Sequence, residues 1–203
     1  MSQRNNSIQT SPQQIRQHIR QCRQQLSAME QQQAPLQVIQ HLREIERVRQ
    51  AQHIALFLSF DGELNTQPLI DYFWQQGQQI YLPVLHPFSK GHLLFLHYDA
   101  QTPLETHQFG MAQPALNVNN VIPVAELDII FTPLVAFDEQ GNRIGMGKGY
   151  YDRTLANWQQ KDIYPIGLAH DCQLVEQIET NHWDVPLPEI ITPSTHWIFD
   201  SVL

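Results

Sequence analysis

Leu127-Asp128-Ile129-Ile130-Phe131-Thr132-Pro133-Leu134-Val135-Ala136-Phe137 runs, after a short gap, into Gly141-Asn142-Arg143-Ile144-Gly145-Met146-Gly147-Lys148-Gly149-Tyr150-Tyr151-Asp152-Arg153. The apolar first half reads as a buried strand. Pro133 marks its end or a bulge, because proline cannot donate to a ladder. The glycines that follow are poor residues for a helix or strand interior, but they permit positive φ and close backbone approach to a ligand. Beyond them, Tyr151, Leu155 and Trp158 fall on one helical face. A strand, a glycine loop and a helix start is where α/β proteins cradle phosphate, using loop N–H groups and the helix dipole.

The charge of the loop suits that task. Arg143, Lys148 and Arg153 are of the right sign to neutralise a polyphosphate, and Asp152 can hold the divalent ion that accompanies one. A glycine-rich turn with solvated charges is the plainer alternative. The density of cations, carboxylate and tyrosines in one short stretch favours a site. Two common recipes fail. A Walker loop would need glycine at Asn142 and Ser or Thr at Gly149. In a G-x-G-x-x-G fingerprint starting at Gly145, the third glycine comes one residue early. That motif also opens the first βα unit of its domain, not a late one.

At 203 residues the chain is expected to form one domain over residues 1–203 with a continuous core. The net charge of −8 speaks against an unaided nucleic-acid or anionic-membrane surface, though not against a local cationic pocket. No apolar run approaches membrane-spanning length. Residues 1–12 are polar, lack the apolar core of a signal peptide, and read as a disordered lead-in. Cys22 and Cys172 make no disulfide framework and read as free thiols in a reducing cytoplasm. The histidines show no zinc spacing, and no nucleophile motif occurs.

Ser11, Pro12 and Gln14 read as N-cap, first helical residue and capping-box partner of a helix with an Ile15, Ile19, Cys22, Leu26 stripe. Arg16, Arg20 and Arg23 leave one face of it at i, i+4 and i+7. Such a row is usually a solvated face, yet no acidic residue lies nearby in sequence. Residues 30–33 read as a glutamine-rich link before a second amphipathic helix carrying Leu36, Ile39, Leu42, Ile45 and Val48. Residues 54–60 read as a buried strand. They lead into Asp61 and Glu63, at the strand end where open α/β sheets bind ligands. Next come a helix over 67–76 capped by Asn65 or Thr66, a strand over 79–85 in parallel β-α-β pairing, and a strand over 92–98. Further strands are expected at 164–169 and 190–192, with a helix starting at His170.

The string G-x-R-x-G-x-G-x-G-Y-Y-D-R after P-x-V-A-F-D resembles the signature of the 5-formyltetrahydrofolate cyclo-ligases, also called methenyltetrahydrofolate synthetases. The likeness runs in order over roughly residues 13–193. It implies a three-layer α/β/α fold with a mixed, mostly parallel sheet. It also implies ATP- and Mg2+-dependent cyclisation of 5-formyltetrahydrofolate, without a protein nucleophile. In that family a K-x-x-x-R element on the first helix reaches the nucleotide, and Arg16 and Arg20 stand at its positions, with arginine replacing lysine. The family's S-x-x-x-E-x-x-T is matched by Ser59, Glu63 and Thr66. It makes Glu63 the ligand of the pterin ring, with Leu58 lining the same pocket; a carboxylate can accept two N–H donors there in a fork. The loop residues Arg143, Ile144, Gly145, Met146, Gly147, Lys148, Gly149, Tyr150 and Tyr151 are expected at ATP. Met146, Gly147, Lys148, Gly149 and Tyr150 also face the folate. Arg143 and Lys148 are the expected catalytic cations. Asp152, with Asp184 of the tail motif, is expected to hold magnesium. Where the family tends to carry an acid before a proline, this chain has Gln113-Pro114. The implied partners are small molecules, with neither nucleic acid nor membrane, and the expected form is a cytoplasmic monomer. Two rivals stay open: a different ATP-using kinase with Asp61 as its base, and a non-catalytic folate- or nucleotide-binding module.

Overall fold

The computed structural model describes residues 11–106, 110 and 112–202. In chain order the elements are α1 (Pro12–Gln25), α2 (Ala28–Glu44), α3 (Glu46–Gln50), β1 (His53–Ala55), α4 (Gln67–Gln75), β2 (Gln79–Leu85), β3 (Leu93–Tyr98), β4 (Leu104–Thr106), β5 (Ala112–Pro114), β6 (Val121–Ile122), β7 (Ile129–Pro133), β8 (Ala136–Phe137), β9 (Arg143–Ile144), α5 (Tyr150–Leu155), β10 (Tyr164–Leu168), β11 (Glu189–Ile191) and β12 (His196–Ile198). One eight-stranded sheet has the order β12-β11-β10-β7-β1-β2-β3-β6. Its central strands, β11 through β2, run parallel. Its edges turn antiparallel at β12, β3 and β6. The fold is α/β with a mixed, mostly parallel sheet, as expected. Strands β1, β7 and β10 are almost wholly buried apolar residues, the pattern of a sheet covered on both faces.

The helix starts follow local chemistry. Ser11 and Gln14 form the expected capping box, with Pro12 in the first turn. Ser11 therefore caps α1 and Pro12 opens it, and the rest of the proposed lead-in lies outside the described residues. Residues 30–33 are not a link. Ser27 caps α2 and Glu30 closes its box, so the glutamines continue a helix. Helix-forming side chains in a capped frame outweigh the linker-like composition. The strand expected over 54–60 is shorter; it ends at Ala55, although Leu56 N still donates to Tyr81 O at 2.9 Å. Asn65 Oδ1 accepts from Gln67 N, whereas Thr66 Oγ1 turns inward to Phe57 O. Asn157 at φ 57° breaks the helix expected to reach Trp158. The helix expected at His170 is one 3-10 turn over Asp171–Gln173. Its Gln173 side chain is buried and donates to Leu134 O and Val135 O. The antiparallel edge strand β12 has no counterpart among the sequence expectations.

Pro133 does end β7, and the chain then folds into the β8–β9 hairpin that delivers the glycine loop. The hairpin is built on one buried carboxylate. Asp138 Oδ1 accepts from Gln140 N and Asn142 N, each at 3.0 Å. Asp138 Oδ2 accepts from Asn142 Nδ2 and from Ile178 N, also at 3.0 Å. Gly141 sits in the turn at φ 80°, and a Cβ there would lie 2.6 Å from Leu187 O. That glycine is a packing requirement. A small cluster of Ile15, Ile19, Val135, Ala136, Ile144 and Ile178 seats α1 on this hairpin. The main core is continuous from α2 and α4 across the sheet to Leu155 and Trp158.

Asp138→Asn turns two of the four donor contacts into N–H against N–H, at a site without water access. A loss of about 2–4 kcal/mol is expected, read as a lower denaturant midpoint with an unchanged slope. An unchanged midpoint would remove Asp138 from this role.

Candidate active site

The turn after β1, the glycine loop after β7 and the segment before β11 follow the C-terminal ends of the parallel strands β1, β7 and β10; α1 bridges turn and loop, and Arg143 ties the loop to the segment before β11. Ligands of open α/β sheets bind at such ends.

Arg143 lies at the base of the loop in β9 and is buried rather than turned to the loop mouth. Its Nη2 donates to Asp152 Oδ1 at 2.7 Å, and its Nη1 donates to Val185 O. Val185 N in turn donates to Asp152 Oδ1 at 3.3 Å. Burial lowers the Arg143 pKa, and the charges of Asp152 and then Asp184 oppose that fall. One guanidinium thus ties β9, the start of α5 and the Asp184-Val185 segment together. Asp184 Oδ2 accepts from Asn181 N and Asn181 Nδ2. Asp152 Oδ2 and Asp184 Oδ1 make no hydrogen bond among the described residues.

Helix α1 closes one side of the loop. Arg16 Nε donates to Gly145 O at 2.8 Å. Gly147 has φ 84°, and a Cβ there would stand 3.3 Å from Arg16 Nη2. The loop backbone thus lies directly against the Arg16 side chain. The other side is held by Arg153, whose Nη1 donates to Lys148 O, Gly149 O and Gly91 O. Arg153 is therefore a clamp on loop carbonyls that joins the loop to the β2–β3 turn. Lys148 and Met146 are exposed at the loop tip, and Tyr150 is half-buried. Ile144 is a core residue, its carbonyl taken by Val135 N.

The second part of the site follows β1. Asp61 at φ 52° and Gly62 at φ 76° turn the chain, and Glu63 folds back so that its Oε2 accepts from Phe60 N at 3.1 Å. Burial pushes the Glu63 carboxyl up to about 7; Phe60 N–H and then Arg23 oppose the rise, and Asp61 adds to it. Tyr151 lies nearby, its phenol pushed well above its usual range by burial and then by Glu63, so it stays protonated. Leu58 is half-buried against the core beside this turn.

The arginine row is not one solvated face. Arg20 is exposed and pairs with Asp61, Nε to Oδ2 at 3.0 Å. Arg23 is only 2% exposed and points at Asp61 and Glu63. Its burial went unread in the sequence. The available signal was an arginine in helical register with two others, far from any acid along the chain. Asp61, named as a possible kinase base, is instead engaged by two guanidinium groups, those of Arg20 and Arg23. Cys22 and Cys172 are both free. Among the described residues no group of three His, Cys, Asp or Glu side chains converges as a metal site, and no helix is long and apolar enough to cross a membrane.

Residues 8–193 match the model of the 5-formyltetrahydrofolate cyclo-ligase family. A 5-formyltetrahydrofolate cyclo-ligase of Haemophilus influenzae is 56% identical over 179 residues, covering 88% of this chain and 96% of that protein. The enzyme of the same name from Escherichia coli K12 is 51% identical over 179 residues, covering 88% and 98%. The solution structure of Aquifex aeolicus 5,10-methenyltetrahydrofolate synthetase superposes with a TM-score of 0.78 at 24% identity, over 93% of each chain. That likeness speaks for the fold. A family match over residues 8–193, with relatives 51–56% identical over 88% of the chain, leads to one assignment: the chain belongs to the 5-formyltetrahydrofolate cyclo-ligase family.

Proposed function

We propose that the protein converts 5-formyltetrahydrofolate to 5,10-methenyltetrahydrofolate using Mg-ATP, with release of ADP and phosphate. The observation that carries the reading is one junction. Asp152 and the Asp184 segment are joined through Arg143 at the foot of a loop whose tip presents Lys148, with Arg16 alongside.

The two carboxylates fit magnesium. Each has an oxygen without a hydrogen bond, both are hard anionic donors, and a site with only two protein carboxylates suits an ion that also takes water and phosphate oxygens. Bound there, magnesium would neutralise charge on the phosphates. Asp152 and Asp184 are its ligands in this reading.

The reaction asks for positioning and charge neutralisation rather than protein nucleophilic chemistry. The formyl oxygen attacks the γ-phosphorus and ADP leaves. N10 then closes on the activated formyl carbon, its proton passes to solvent, and phosphate departs with the former formyl oxygen. Lys148 and Arg20 are exposed and Arg16 is half-buried against the loop; in this reading all three meet the phosphates. Arg143 contributes its charge from behind Asp152, and the amides of Gly145, Gly147 and Gly149 approach the phosphate oxygens. Glu63 accepts N–H donors from the pterin, with Leu58, Met146, Tyr150 and Tyr151 as its apolar and aromatic surroundings. A pure folate binder has no use for the paired carboxylates, which weighs against the non-catalytic reading.

Turnover of 5-formyltetrahydrofolate, followed by the methenyl chromophore, is expected only with both ATP and magnesium, and to stop on chelation. Asp152→Asn is expected to lower kcat on the order of 100-fold or more. Folate binding without turnover would leave a binding module. Arg143→Lys keeps the charge but cannot hold both Asp152 and Val185. It is expected to weaken magnesium about 10–100-fold, the usual cost of losing a residue that orients a metal ligand. Unaltered magnesium dependence would separate Arg143 from Asp152.

A further inference from the structure

The least expected side chain in the protein is Arg23. It lies in the last turn of α1, where a cation is favoured by the helix C-terminus. It is almost fully buried, and its Nε and Nη1 make no hydrogen bond to protein. A buried guanidinium normally has its donors filled, because an unmade bond to a charged group is costly. The Gly62 turn packs onto it so closely that a Cβ at Gly62 would lie 3.3 Å from Arg23 Cβ. Asp61 Oδ2 is 3.5 Å from Nη2, and Glu63 Oε1 is 3.9 Å from Nη1. Arg23 thus stands behind the Asp61–Glu63 turn, directing an unfilled donor at the Glu63 oxygen that Phe60 N–H does not take.

We propose that Arg23 is the positioning residue of the substrate pocket, holding Glu63 ionised and oriented so that both carboxylate oxygens face a ring edge bearing two N–H donors. The proposal rests on the folate reading of Glu63 given above. It adds a residue that touches neither substrate nor nucleotide and acts through the carboxylate. The surroundings leave Arg23 as the direct cationic partner. From α1, Arg20 reaches only Asp61. From the turn itself, Asp61 opposes ionisation of Glu63. From α5, Tyr151 is a protonated phenol, and Arg143 beyond it is paired with Asp152. From the turn after β10, His170 is held toward its neutral form by burial and then by Arg23. Glu63 therefore has a carboxyl poised near 7. Its ionised form accepts two N–H donors and its protonated form does not. Folate affinity should rise as pH increases through that value and fall below it. Arg23 lowers the point at which this happens.

The test compares wild-type protein with Arg23→Met, which keeps bulk and removes charge, Arg23→Lys, and Asp61→Asn. Steady-state kinetics give KM for folate and for ATP across pH 5.5–9, and thermal melts check folding. In Arg23→Met the pH at which folate KM changes should move up by about one to three units, the effect expected of losing an opposite charge at this range. Folate KM at neutral pH should rise at least about fivefold, ATP KM should stay within about twofold, and Arg23→Lys should recover most of the loss. Asp61→Asn should move the profile the other way, and it carries the test should Arg23→Met fail to fold. A folded Arg23→Met with an unmoved profile, or with folate and ATP KM worsened alike, overturns the proposal, as does Asp61→Asn moving the profile upward or leaving it fixed. If the wild type turns over no folate, the functional reading fails instead. Carbon-13 NMR titration of glutamate carboxyls then decides the Arg23–Glu63 coupling alone, and an unmoved Glu63 resonance in Arg23→Met overturns it.

Discussion

A charge taken out of water has to be matched where it lies, and the buried guanidinium of Arg143 sets that condition at the centre of this protein. It is met from two directions, by Asp152 at the start of α5 and by the Val185 carbonyl in the segment leading to β11. Buried pairs of this kind contribute little net stability, because desolvation offsets the attraction, but breaking one is costly. Their value is in placement. Asp152 and Asp184 are far apart along the chain, and Val185, next to Asp184, bonds to both members of the Arg143–Asp152 pair. The loop from Gly145 to Gly149 rises from this junction. It is limited on one side by Arg16 and on the other by the Arg153 clamp.

The hairpin beneath the loop supplies rigidity. Asp138 gathers four N–H donors, from its own turn and from Ile178, so the tail after β10 and the hairpin after β7 are held as one piece. Neither carboxylate arrangement is visible in local sequence, since the donors come mostly from backbone. Both convert flexible glycine-rich chain into a fixed surface, which a reaction driven by positioning requires.

The opposite wall, around Glu63, is softer electrostatically. Its carboxyl lies between burial, which favours the neutral acid, and Arg23, which favours the carboxylate. Asp61, in a left-handed conformation and shared by Arg20 and Arg23, links that balance to the solvent face of α1. Helix α1 thus touches both halves of the site: Arg16 at the loop, Arg23 behind the folate turn. Seating it depends on Ile15 and Ile19 packing on the β8–β9 hairpin.

Much of this was legible in the chain. Strand and helix identities follow from apolar runs and caps, as at β2, β7 and the Ser11 box, because those signals are local and strong. The loop string and the tail aspartate carry the resemblance to the family and hold most of the candidate site residues. What the sequence expectations missed was one local cap and several features decided by distant neighbours. Residues 30–33 look like a link until Ser27 caps them, and the turn at His170 stops after Gln173 because that side chain is drawn in to β7's exit. By itself, the sequence determined the parallel core, the glycine loop and which charged residues exist. Only the tertiary structure decided which of those charges face solvent and which are buried. It turned Arg143 and Arg23 inward and left Lys148 and Arg20 outward, because burial depends on what the fold packs against each side chain, and helical or loop spacing carries no record of that.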